Sequence, residues 1–170
     1  MNWDGVDFKV IAVAAAAAMV VAGAGGALTD IGPWYKALRQ PKWKPPDWAF
    51  GPIWTLIFIA SATAGVMAWE RAPSDAHRRC IIAAFTLNGT LNILWSWLYF
   101  RLKRPDWSLW EWIPLWLSIA ALIVIFWPYS PRSSYLLLPY LVWVWIAGYL
   151  NCTTVRLNGP FGRQAPGAQA

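Results

Sequence analysis

The chain has 170 residues, of which 58% are hydrophobic and only 13% charged, and it contains 15 tryptophans. Average soluble chains are about 45–50% apolar and about 25% charged, so this composition excludes an ordinary soluble domain. The net charge of +6 comes from basic residues that flank apolar segments and form no continuous face, which argues against nucleic-acid binding.

Five long segments contain no charged residue and no histidine, and each has the length of a membrane-spanning helix. They cover residues 10–28, 48–69, 80–100, 112–131 and 133–155. About 20 apolar residues span the hydrocarbon core of a bilayer, and these continuous segments lack the alternation of a barrel strand. The sequence therefore predicts an all-α integral membrane protein. We expect one domain over residues 1–157, built as a five-transmembrane-helix bundle with a short helical first loop.

The first segment is expected to be retained as a helix. Its leader, MNWDGVDFK, carries Asp4 and Asp7 where a secretory signal peptide has net positive charge. Small residues recur at four-residue spacing in the first two segments, and such residues let helices approach closely in lipid. This pattern fits packing within the bundle or a dimer contact, and it comprises Ala18, Ala22, Gly26, Ser61 and Gly65.

The first connection, WYKALRQPKWKPPDW, combines tryptophans, prolines and basic residues between two apolar segments. Its first aromatic residues are spaced as in a short helix, which we expect to lie at the membrane interface. The prolines stiffen the path back into the membrane. We interpret this connection as a lid formed by Trp34, Tyr35, Leu38, Pro41, Trp43, Pro45 and Pro46.

Unusual residues of several segments are predicted to converge at one depth. Asn88, Asn92 and Trp95 share one face of the third segment, and Trp143 and Ala147 share one face of the fifth. Because successive helices alternate in direction, these residues and Trp54 lie in the half of the bilayer next to the first loop. They could line a cavity for a flat apolar ligand, or the asparagines and tryptophans could serve only to pack the helices.

Topology follows from the basic residues outside the segments. Five fall on the side of the N-terminus and nine on the side of the first loop. The positive-inside rule then predicts an outward N-terminus and a cytoplasmic C-terminus.

Cys80 and Cys152 lie near opposite ends of the bundle, too far apart for a disulfide. Residues 158–170 are rich in Gly, Pro, Ala and Gln and are predicted to form a disordered tail.

Four motifs resemble one family of membrane proteins. They are WY-x-x-L-x-x-P-x-W-x-PP at 34–46, PIWT at 52–55, N-x-x-x-N-x-x-W at 88–95, and LLPYLVW at 137–143 with a later LN at 150–151. Over about residues 10–157 the chain resembles the tryptophan-rich sensory protein family, also called TspO, translocator protein or peripheral-type benzodiazepine receptor. This resemblance implies a homodimer, in a bacterial membrane, that binds porphyrins such as protoporphyrin IX and haem. By matched motif it assigns ligand binding to Trp54, Asn88, Asn92, Trp95, Trp143, Ala147 and Leu150.

This interpretation requires no cofactor. Porphyrin or haem is the expected ligand, and membrane lipid surrounds the protein. The sterol-recognition pattern of animal members is not matched, because Cys152 and Thr153 stand where an aromatic residue is expected, which argues against cholesterol binding. No metal-ligand cluster occurs, and the single histidine, His77, is placed at the end opposite the cavity.

The sequence is compatible with three functions. The first is a porphyrin-binding protein or sensor that regulates tetrapyrrole or stress metabolism. The second is a light- and oxygen-dependent porphyrin-degrading enzyme, for which the resemblance makes Trp54 and Trp143 the candidate catalytic residues. The third is a passive tetrapyrrole or sterol transporter. Ion-coupled transport is not expected, since the predicted segments contain no carboxylate, histidine, lysine or arginine.

Overall fold

The computed structural model describes residues 7–162, and its regular structure within that range is helical. The helices are α1 (Phe8–Leu28), α2 (Pro33–Ala37), α3 (Asp47–Glu70), α4 (Asp75–Ser96), α5 (Pro105–Phe126) and α6 (Pro131–Asn158), with a π-helical turn at Trp97–Arg101 that extends α4. Five of them are long and apolar enough to cross a membrane. The predicted fold class and the short helix in the first loop are therefore confirmed.

Local sequence explains where several helices begin. The Asp7 side chain accepts a hydrogen bond from the Lys9 amide and so caps the start of α1. Pro33, Pro105 and Pro131 each occupy the first helical position, where the missing N–H would have had no partner within the helix.

The last helix extends further than its uncharged segment. Asn158, the first residue of the predicted tail, ends α6, and its side-chain amide donates to the Thr154 carbonyl at 2.8 Å. The change from helix to irregular chain therefore comes after this residue. Residues 163–170, which make up most of the predicted tail, lie outside the described residues.

The core lies mainly between α5 and α6, with α3 and α4 packed against them. α1 has no fully buried residue and packs on the outside of the bundle against α3 and α4. Two apolar clusters fill the interior. One is Ile57, Leu115, Ile119, Tyr140, Trp143 and Val144, and the other is Ala64, Ala68, Ile81, Leu122, Phe126 and Leu137.

A very tight contact lies at Gly148, which the small-residue pattern did not include. A Cβ atom there would lie 2.1 Å from the indole ring of Trp112, so only glycine leaves room for that ring. The same indole donates a hydrogen bond from Nε1 to the Val144 carbonyl at 2.7 Å. The α5–α6 contact thus depends on an indole ring that packs directly against the backbone of α6 at Gly148.

The five predicted small residues occupy different surroundings. Ala18 and Ala22 line an apolar groove between α1 and α3, and Ser61 is buried. A Cβ at Gly65 would lie 3.2 Å from the Phe85 ring, which is a tight helix contact. A Cβ at Gly26 would meet open space, and this residue lines a cavity instead.

Glu111 lies inside α5, although the charge-free segments predicted above exclude it. It is 8% exposed, and neither carboxyl oxygen has a hydrogen-bond partner among residues 7–162. The expectation that the spans contain no carboxylate is therefore wrong at this position. The reason is physical: a single carboxyl group on the buried face of a helix is enclosed by neighbouring helices, so it does not have to end a membrane span.

Candidate functional site

A cavity of about 460 Å³ opens at the end of the bundle where α2 and the first loop lie. Its walls come from all five long helices, and most of its lining is aromatic or small. Sites for small organic ligands are concave, mostly apolar and about 300–1,000 Å³ in volume. By size and lining, this cavity can hold a flat apolar molecule.

Five of the seven predicted ligand-binding residues line this cavity: Trp54, Asn92, Trp95, Trp143 and Ala147. The convergence in depth expected from the sequence therefore occurs. Asn88 is buried behind the wall, and Leu150 is half-buried one turn beyond Ala147, so neither is a lining residue. Ligand binding by all seven remains a prediction.

The cavity tryptophans are held by neighbouring rings. Trp54 stacks on Phe58 with centroids 5.5 Å apart, and the edge of Tyr140 meets it at 5.9 Å. Phe50 meets Trp143 edge-on at 5.4 Å. Such aromatic pairs contribute about 0.5–1.5 kcal/mol beyond the area they bury, so these indoles keep their orientation without a ligand.

Behind the α4 wall lies a buried polar network. The Asn92 amide donates to the Tyr140 hydroxyl at 3.1 Å, and that hydroxyl donates to Asn88 Oδ1 at 3.3 Å. Asn88 in turn donates to Ser118 Oγ at 2.8 Å. Three helices are therefore joined in the middle of the bundle by hydrogen bonds between side chains, and the two asparagines hold the wall in place.

The lid lies over the cavity mouth and packs against the ends of α4 and α6. Trp34 meets Tyr99 edge-on at 6.2 Å, and Trp43 stacks on Tyr149 at 5.2 Å. Leu38 follows the last residue of α2 and is half-buried, as are Pro41 and Pro45. Pro46 is exposed and precedes α3. The predicted lid residues thus form one segment across the mouth.

Polar contacts on two sides hold the lid. Tyr35 lines the cavity, and its hydroxyl donates to Asp47 at 3.1 Å, while Lys44 forms an ion pair with the same carboxylate. Burial raises the pKa of the Tyr35 phenol, so it stays a neutral hydrogen-bond donor at physiological pH. At the other side, Asn158 accepts from the Arg39 amide at 2.8 Å and donates to the Arg39 carbonyl at 2.9 Å.

Residues at the opposite end of the bundle take no part in this cavity. His77 lies in the first turn of α4, where its Nδ1 is 2.8 Å from Ser74 Oγ and its ring meets the edge of Tyr129. Cys80 lies near this end and Cys152 near the lid end, and both are unpaired.

Several lining residues were not predicted from the sequence. These are Phe50, Phe58, Phe100 and Ser96. Phe50 and Phe58 each lie four residues from Trp54, so helical spacing around that tryptophan could have identified both. Phe100 has no such signal, because it lies in the π-helical turn, where side chains no longer follow the α-helical spacing.

Comparison with known proteins gives one family. Residues 11–157 match the model of the TspO/MBR family. The chain is 33% identical over 141 residues to protein CrtK of Rhodobacter capsulatus, covering 83% of this chain and 88% of that protein. It is 35% identical over 125 residues to the tryptophan-rich protein TspO of Chlorobaculum tepidum, covering 74% of this chain and 79% of that one.

A eukaryotic relative is also similar over most of its length. The human translocator protein is 28% identical over 137 residues, which cover 78% of this chain and 80% of the human protein. The family match includes all five membrane-spanning helices and the lid between α1 and α3. This chain is a multi-pass membrane protein that belongs to the TspO/MBR family.

Proposed function

We propose that the protein binds porphyrins, such as protoporphyrin IX or haem, in the cavity beneath the lid, and acts as a sensor of tetrapyrrole level. The observation that carries the proposal is the shared placement of Trp54, Trp95 and Trp143 in one cavity of about 460 Å³. Indole rings offer flat apolar surfaces, and a porphyrin macrocycle, which is also flat and apolar, can stack on them.

The lid supplies charge for the acidic groups of such a ligand. Lys36, Arg39 and Lys42 are exposed on the segment that crosses the mouth. A porphyrin with its rings among the tryptophans would place its propionate groups at this opening, where basic side chains favour them. The site thus combines an apolar interior with a basic rim.

Substitution of one cavity tryptophan tests the proposal. We expect Trp143→Leu to weaken protoporphyrin IX binding about tenfold, because loss of a stacking surface costs on the order of 1.4 kcal/mol. Absorbance titration of the Soret band with protein in lipid nanodiscs measures this. Trp110→Leu is the matched control, since Trp110 is 74% exposed on the outside of α5. Equal weakening in both variants, or no saturable binding by the unchanged protein, would refute the proposal.

Light-driven degradation of the bound porphyrin is a second candidate. Trp54 and Trp143 line the same cavity, so an excited macrocycle there would have oxidisable indoles in contact with it. Illumination of the same nanodisc complexes in air, with the Soret band followed over time, separates the two candidates. Bleaching that is no faster than that of free porphyrin would leave binding alone.

We also propose that the lid end of the bundle faces the cytoplasm, because nine basic residues lie on that side and five on the other. Cys80 is exposed near the opposite end. We therefore expect a membrane-impermeant maleimide to label Cys80 in intact cells, whereas labelling that occurs only after the cells are permeabilised would argue for the reverse orientation.

A further inference from the structure

The porphyrin site leaves the buried carboxyl group of Glu111 without a role. Its side chain is 8% exposed, and neither oxygen has a hydrogen-bond partner among residues 7–162. None of the ion pairs within that range includes it. An ionised carboxylate enclosed in this way would lose its hydration and gain no partner, so the group is more stable with a proton bound. An apolar residue would fill the same space without this cost, which indicates that the carboxyl group serves a function.

The other polar side chains on the buried face of α5 are bonded elsewhere. Ser108, one turn before Glu111, is hydrogen-bonded to Asn151 of α6 at 2.9 Å. Ser118, two turns after it, is hydrogen-bonded to Asn88 of α4 at 2.8 Å. Glu111 therefore lies between two polar contacts along the helix and takes part in neither.

The charged groups of the neighbouring helices lie near the ends of the bundle. α5 packs against α4, its π-helical turn and α6. Arg132 and Arg156 are exposed near the two ends of α6, Arg101 of the π-helical turn is exposed and reaches the end of α1, and Arg104 forms an ion pair with Asp106. The titratable groups of α4 lie in its first two turns, at the end opposite the lid, and are Asp75, His77, Arg78, Arg79 and Cys80. None of these cations is in contact with Glu111 to balance a negative charge there.

Two phenols are the buried titratable groups of these neighbours. Tyr140 of α6 is 3% exposed and is hydrogen-bonded to Asn92 and Asn88, and Tyr99 of the π-helical turn is 5% exposed. An ordinary phenol ionises at about pH 10, so neither brings a charge to Glu111 over the pH range in which a carboxyl group titrates. Cys152, half-buried near the lid end of α6, is a further titratable group and requires a control.

Glu111 lies next to the lining of the cavity. Trp112 follows it in the chain, and Leu115 lies one turn further along the buried face of α5. Both of these residues line the cavity, whereas Glu111 does not. A charge on its carboxyl group would therefore act on a ligand through protein, where electrostatic repulsion is screened much less than in water.

We propose that Glu111 is a proton-binding site within the membrane, and that binding of an anionic ligand in the cavity depends on this proton. The coupling rests on the proposed function, which supplies a ligand with propionate groups, whereas the proton site does not. The proton is exchanged with water, and no other bond forms or breaks. Loss of the proton places a fixed negative charge beside the ligand, so binding weakens as pH rises. By linkage, the anionic ligand in turn lowers the affinity of Glu111 for nothing but its ionised state, and so favours the bound proton.

Infrared spectroscopy tests the proton site without any ligand. The chain contains two glutamates, Glu111 and Glu70, and Glu70 is exposed at the end of α3. Cell-free synthesis with glutamate that is isotope-labelled at the side-chain carboxyl carbon distinguishes these two groups from every aspartate. In nanodiscs at neutral pH we expect one labelled carboxylate band and one labelled carboxylic-acid band. Glu70→Gln should keep the acid band and Glu111→Gln should remove it, whereas labelled carboxylate bands alone would overturn the proton site.

The pH dependence of ligand binding tests the coupling. Between about pH 7 and about pH 9, propionates stay ionised and lysine and arginine side chains ordinarily stay protonated. We expect the affinity of the unchanged protein for protoporphyrin IX to fall across this range, by at most about tenfold per pH unit, which is the limit for one coupled proton. The affinity of Glu111→Gln should stay nearly constant, and Cys152→Ser should behave like the unchanged protein. The dimethyl ester of protoporphyrin IX, which has no propionate charge, should bind with little dependence on pH.

The outcomes separate the two proposals. The coupling is overturned if the affinity of Glu111→Gln falls as steeply as that of the unchanged protein, or if the neutral ester shows the same fall as protoporphyrin IX. Should Glu111→Gln fail to fold, the comparison of the two porphyrins in the unchanged protein decides. If the labelled acid band is present and protoporphyrin IX binds at no pH, the porphyrin proposal and the coupling fail, and the proton site stands.

Discussion

Replacement of Gly148 by alanine should destabilise the protein by about 3 kcal/mol, the upper part of the range for inserting a group into a packed interior. The added Cβ would lie 2.1 Å from the Trp112 ring, and three atoms of that ring lie within 2.6 Å of it. The indole cannot withdraw without losing its hydrogen bond to the Val144 carbonyl. Both helices would have to separate along the most extensive contact of the bundle, between α5 and α6.

Thermal denaturation in detergent measures the effect, which should appear as a midpoint roughly 6–12 °C lower for a chain of this size. Gly23→Ala is the matched control, because a Cβ there meets no atom within 4 Å. Alanine favours a helix over glycine, so this control should be neutral or slightly stabilising. If Gly148→Ala and Gly23→Ala had the same denaturation midpoint, the close α5–α6 contact would not exist as described.

Removal of the Tyr140 hydroxyl should produce the second-largest loss, about 2–3 kcal/mol in Tyr140→Phe. This hydroxyl accepts from Asn92 and donates to Asn88, and Tyr140 itself is only 3% exposed. The variant would leave a buried amide N–H and a buried amide oxygen unpaired, and each unpaired group costs about 1–3 kcal/mol. Nearby lipid offers no replacement partner, so the loss should not be relieved by solvent.

Tyr149→Phe provides the comparison, because Tyr149 is 59% exposed and its ring stacks on Trp43 through a face that phenylalanine retains. We expect its midpoint to match that of the unchanged protein. Unchanged stability in Tyr140→Phe would mean that the two asparagines find other partners.

The buried network also explains why the asparagines are ambiguous in sequence. Asn88 and Asn92 share one helical face and differ by one turn, so both fit the wall of a cavity and both fit contacts between helices. In the structure Asn88 is used wholly within the protein, whereas Asn92 bonds the network with one end and reaches the cavity with the other. The difference depends on the position of Tyr140 and Ser118, which come from other helices.

The burial of Glu111 is another feature that its local sequence does not predict. Its neighbours in the chain predict the edge of a span, because a charge-free segment begins at the next residue. Only the packing of the neighbouring helices around α5 encloses this carboxyl group, and its burial could not be read from the residues beside it. Gly148 is comparable, since its importance comes from a tryptophan 36 positions away in the chain.

The sequence by itself determined the number and approximate bounds of the membrane-spanning helices, the lid, and the end of the bundle at which the aromatic residues gather. These properties follow from composition over about 20 residues and from the 3.6-residue period, which are local quantities. The tertiary structure decided which face of each helix meets which neighbour, and therefore which polar atoms are paired inside and which remain open to a ligand. Contacts of that kind join residues far apart in the chain, and their geometry depends on how the helices cross.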